Sequence, residues 1–63
     1  MDKKAQNIIS SYDFTLRYKD KYSVRKTITQ ITRILETAIR LGYEDFAKAY
    51  TICLVRAARI SRD

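Results

Sequence analysis

The chain has no histidine, no proline and no tryptophan, and only one glycine and one cysteine. Without histidine it lacks the side chain whose ordinary pKa suits general acid–base work near neutral pH. One cysteine closes no internal disulfide and, with no histidine beside it, makes no zinc site. A single glycine cannot build a glycine-rich phosphate loop. No cofactor, metal or small-molecule substrate is therefore expected, and no enzymatic activity. So little turn chemistry also means few chain reversals, which favours a few long helices over many short strands. No apolar run approaches the roughly 18 residues that cross a bilayer, so no membrane partner is expected. The opening stretch MDKKAQNIISSYD lacks the uninterrupted apolar core of a cleaved leader. A lone free thiol suits a reducing compartment, and the expected location is cytoplasmic.

What is present is charge and helical periodicity. Over 63 residues, 13 lysines and arginines face 7 acids, for a net charge of +6 and a pI near 9.8. An excess this large in so short a chain points to an anionic partner, with nucleic acid foremost. Hydrophobic residues make up 46% and charged residues 32%, a globular composition. A chain of this size forms one domain, 1–63, and is only marginally stable on its own core. Regular helix packing, completed by a partner or by self-association, is the remaining source of stability.

Two helices are legible at once. From about 24 to 41, Val24, Ile28, Ile31, Leu35 and Ala38 recur at spacings of four and three, which is one helical face. Ile34, Ile39 and Leu41 widen it. Ser23 is the expected N-cap and Gly42 the expected residue past the C-terminus. Glu36 sits within pairing distance of Arg33 and Arg40. From about 44 to 62, Phe46, Tyr50, Cys53, Ala57 and Ile60 form a second stripe, assigned to the face that packs on the preceding helix. Cys53 on that stripe reads as a buried structural thiol. The two-residue link Gly42-Tyr43 predicts that these helices fold back as an antiparallel hairpin.

The N-terminal segment reads two ways. As a helix capped by Asp2, it places Ala5, Ile8, Ile9, Tyr12 and Leu16 on one narrow face and completes an all-α, three-helix bundle. As a strand, Tyr12 to Lys19 (YDFTLRYK) alternates apolar and polar residues at every position. A strand followed by two helices resembles the ribbon-helix-helix DNA-binding fold in the order of its elements. That resemblance implies a dimer, with strand 12–19 pairing across the axis and Asp13, Thr15, Arg17 and Lys19 facing base edges.

Two cationic clusters are the candidate nucleic-acid contacts. Arg17, Lys19, Lys21, Arg25 and Lys26 precede and open the central helix, interleaved with Tyr18 and Tyr22, which can stack on bases. Arg56, Arg59 and Arg62 close the chain. Guanidinium groups suit phosphate because they bond two oxygens at once. The far side of the last helix carries Ile52 and Val55 among cations. Either the N-terminal segment covers them, or they join Phe14 and Tyr18 as a docking face for another chain. The expected function is a non-catalytic, basic accessory protein that docks on a larger nucleic-acid-processing complex, polymerase- or ribosome-like, and adds phosphate-binding surface. A homodimeric DNA-binding regulator and a pure protein-interaction module are the alternatives.

Overall fold

The computed structural model describes residues 2–62 and is all-helical: α1 spans Lys3–Leu16, α2 Lys21–Leu41 and α3 Glu44–Arg62. No strand occurs among the described residues, so the ribbon-helix-helix expectation for 12–19 is overturned. The reason is backbone bonding. A lone strand leaves its N–H and C=O groups unpaired, whereas a helix pairs them within itself. Tyr12 and Leu16, four apart, turn toward the core together, while Phe14 lies half a turn away and is exposed.

α1 begins after Asp2, whose carboxylate makes no capping hydrogen bond. Its inner face is Ala5 and Leu16, both buried, with Ile8, Ile9 and Tyr12 half-buried between them, as the periodicity predicts. The segment after it is short. Tyr18 N–H donates to Thr15 O at 3.2 Å, tightening the end of α1. The chain then enters α2 at Asp20.

Asp20, not Ser23, is the N-cap of α2. Its carboxylate accepts the Ser23 N–H at 2.8 Å, so the helix starts three residues before the expected Val24. Four threonines on α2 turn their hydroxyls inward to the carbonyl four residues back. Thr27 donates to Ser23 O at 3.0 Å and Thr32 to Ile28 O at 2.8 Å, with Thr29 and Thr37 doing likewise. This satisfies the hydroxyl of Thr27, the one buried polar side chain of the described core. α2 ends at Gly42, in the left-handed region at φ 78°, where the Gly42 and Tyr43 N–H groups take up the last free carbonyls.

α3 is the central element. α2 packs along one side of it and α1 along another, while α1 and α2 scarcely meet. Leu16, Val24 and Ala57 form one buried cluster, with Tyr12 and Ile28 against it. Val24 opens α2 and Ala57 lies near the end of α3, so α3 runs back along α2. Tyr12 meets Tyr50 edge-on at 6.3 Å between ring centroids. The buried positions of α3 are Ala49, Cys53 and Ala57, small side chains that let both neighbouring helices approach closely. That narrow strip also limits coverage. Val24, Ile31 and Ala38 are buried on α2 as expected, but Ile39 and Leu41 are exposed rather than part of the core.

Candidate nucleic-acid interface

The fold brings the two predicted cationic clusters together. Because α3 returns along α2, its C-terminal turn lies beside the start of α2 and the end of α1. Arg17, Lys19, Lys21, Arg25, Lys26, Arg56, Arg59 and Arg62 therefore share one end of the molecule. Within 13–26 and 56–62 these eight cations face two acids, Asp13 and Asp20. At the opposite end, residues 2–4 and 36–48 carry four cations and four acids. The basic excess is thus gathered at one pole.

Both acids of the cationic pole are engaged. Asp13 pairs with Arg56 across the α1–α3 contact, the one ion pair among the described residues. Arg56, expected to face phosphate freely, instead ties two helices together. Asp20 is held below the usual carboxylate range, chiefly by the hydrogen bond from the Ser23 backbone N–H. The remaining seven cations make no ion pair with an acid among the described residues, although Lys19 lies near enough to Asp20 to favour its charged form. All are exposed except Lys19, which is half-buried. Lys26 extends its ammonium over the Tyr22 ring, 4.8 Å from the centroid, a cation–π contact. Glu36 pairs with neither Arg33 nor Arg40 among the described residues.

Position along the helices separates two kinds of cation. Arg59 and Arg62 sit in the last turn of α3, where the helix dipole favours positive charge. Lys21 is the first residue of α2, next to the capping Asp20, whereas Arg25 and Lys26 lie in the second turn, beyond the reach of the dipole. Positive charge at a helix N-terminus opposes the dipole. Lys21 is the one cation of this group that the dipole disfavours.

Of the four expected docking residues, Phe14 and Tyr18 touch each other, with ring centroids 5.3 Å apart. On α3, Ile52 is half-buried and Val55 is 46% exposed. A different apolar feature lies at the far pole. Ile34, Leu41, Tyr43, Phe46 and Tyr50 line an open groove of about 410 Å³ between the end of α2 and the start of α3, with Arg33 on its rim. Tyr43 and Phe46 meet edge-on there at 6.2 Å. These residues are legible in the sequence as apolar, and the periodicity assigns Ile34, Leu41 and Phe46 to the core. What exposes them is the absence of α1 along α2.

Cys53 is buried between α1 and α3. Burial, and then the Asp13 carboxylate, push its thiol upward, with Arg56 acting in the other direction. The protonated form is held at neutral pH. Tyr12 is pushed up as well, first by burial and then by Tyr50 and Cys53. No group of three potential metal ligands occurs among the described residues, and no described helix is long and apolar enough to cross a membrane. Comparisons of the chain with protein-family models, curated proteins and solved structures return no match.

Proposed function

We propose that the protein is a non-catalytic, basic helical accessory protein that binds the phosphates of nucleic acid through its cationic pole and docks on a larger nucleic-acid-processing assembly. One observation carries this reading. Eight cations, Arg17, Lys19, Lys21, Arg25, Lys26, Arg56, Arg59 and Arg62, lie toward one end of the molecule with only two acids among them, and seven of the eight make no ion pair with a described residue. A surface that gathers positive charge with few acids to neutralise it suits an anionic ligand. Docking falls to the opposite pole, where the groove of Ile34, Leu41, Tyr43 and Phe46 is free to meet a partner while the cations are engaged.

The test is affinity for nucleic acid as a function of salt. Binding should weaken steeply between about 50 and 200 mM salt, as counterion release requires. A Lys21→Ala/Arg25→Ala/Lys26→Ala variant should lower the slope of log affinity against log salt by about 2 to 3. Affinity that stays constant over that range removes the phosphate reading. Sequence preference separates the accessory role from a regulator. A regulator should favour its own site about a thousandfold over random sequence, and this protein should show a few-fold difference at most.

A further inference from the structure

Three aromatic side chains at the cationic pole are exposed and make local contacts, Phe14 against Tyr18 and Tyr22 beneath Lys26. Phe14, Tyr18 and Tyr22 are 64%, 76% and 68% exposed. They recur every four residues through the end of α1, the turn and the start of α2. The Phe14 and Tyr18 rings touch at a tilt of 59°, with centroids 5.3 Å apart. Tyr22 is bracketed by Lys21 and Lys26, and Tyr18 by Arg17 and Lys19. Four residues separate successive rings, so each Cα atom lies within about 14 Å of the next.

Resting on the phosphate-binding reading above, we infer that this pole takes single-stranded polynucleotide, with unpaired bases stacking on Phe14, Tyr18 and Tyr22 while the adjoining cations hold the phosphates. The other candidate occupants each leave half of the patch unused. A hydrophobic protein surface would cover the rings and bury the cations beside them without partners. An acidic peptide would satisfy the cations and leave the rings in water. Duplex DNA would meet the cations, but its base faces are stacked inside the helix and out of reach. Only an unpaired strand offers a flat π-face and a phosphate at every step, the combination that stacking platforms in charged grooves take.

The experiment compares a 20-nucleotide oligothymidylate with a 20-base-pair duplex at 50 mM salt, read by anisotropy of the labelled strand. Quenching of the tyrosine emission, which no tryptophan masks, provides a second reading. The oligothymidylate should bind at least about tenfold tighter than the duplex and quench the tyrosines. A Phe14→Ala/Tyr18→Ala/Tyr22→Ala variant should lose about fivefold or more per ring on the single strand and keep its duplex affinity. Tyr18→Phe/Tyr22→Phe should retain single-strand binding, since stacking needs the ring and not the hydroxyl. Far-UV circular dichroism of each variant verifies the helical fold. Equal affinity for the two nucleic acids, or equal loss on both in the triple alanine variant, overturns the single-strand inference and leaves phosphate binding standing. Salt-insensitive or absent binding to both removes phosphate binding and the inference together.

Discussion

Ile31 is the largest side chain wholly withdrawn from solvent, followed by Val24 and Cys53. Much of the rest of the described core is alanine: Ala5, Ala38, Ala49 and Ala57. Alanine lets helices approach but contributes little apolar area, so the few larger residues dominate the hydrophobic stabilisation. Ile31→Ala should cost about 2 to 5 kcal/mol. A single core in a domain this small supplies about 3 to 5 kcal/mol, so the variant should be largely unfolded at 25 °C. Ile31→Val should cost about 0.5 to 1.5 kcal/mol and stay folded. Urea titrations followed by circular dichroism check both. A native-like midpoint for Ile31→Ala would mean that the core lies elsewhere.

For the elements, the start of α2 makes a pH-dependent claim. The folded state holds the Asp20 carboxyl below its ordinary value through the Ser23 N–H. Its contribution is therefore present above the unfolded pKa and is lost as pH falls through the folded one. Asp20→Asn keeps an oxygen acceptor at the N-cap and removes the titration. Thermal melts of the variant should fall less than those of the native chain as pH drops below about 4, and parallel curves would rule out the cap as their source. The same helix marks how far the sequence is legible. Its inner face, Val24, Ile28, Ile31, Leu35 and Ala38, follows from spacing alone, and so does its left-handed end at Gly42. Its beginning does not. Ser23 and Asp20 are both good caps, and the choice depends on how tightly the chain turns after Leu16. In α1 the alternation of YDFTLRYK competes with the stripe from Ala5 to Leu16. Absence of a pairing strand resolves it, and that is a property of the whole chain. Ile39 and Leu41 look like core because periodicity assigns a residue to a face without indicating whether another helix covers it.

At the scale of the molecule, the reversal at Gly42 decides which charges meet. In sequence the two cationic clusters are some thirty residues apart (Lys26 to Arg56) and read as separate features. Side by side, they form one surface. A polynucleotide that crosses the pole should therefore touch both. Arg59→Ala/Arg62→Ala should lower the salt slope by about 1 to 2 for the same oligonucleotide that the α2 variants affect. A slope unchanged by the α3 pair, alongside one reduced by the α2 triple, would show that the clusters serve different ligands. The separation of charge also has a mechanical result. The molecule is about 32 Å long and 21 Å wide, basic at one end and balanced at the other. Near a polyanion such a body experiences a torque as well as an attraction, and it rotates end-on before it lands. On the proposed reading, each copy bound to a strand would stand upright on it, and a row of them would hold the Tyr43–Phe46 clefts aloft at one height, like sockets along a rail.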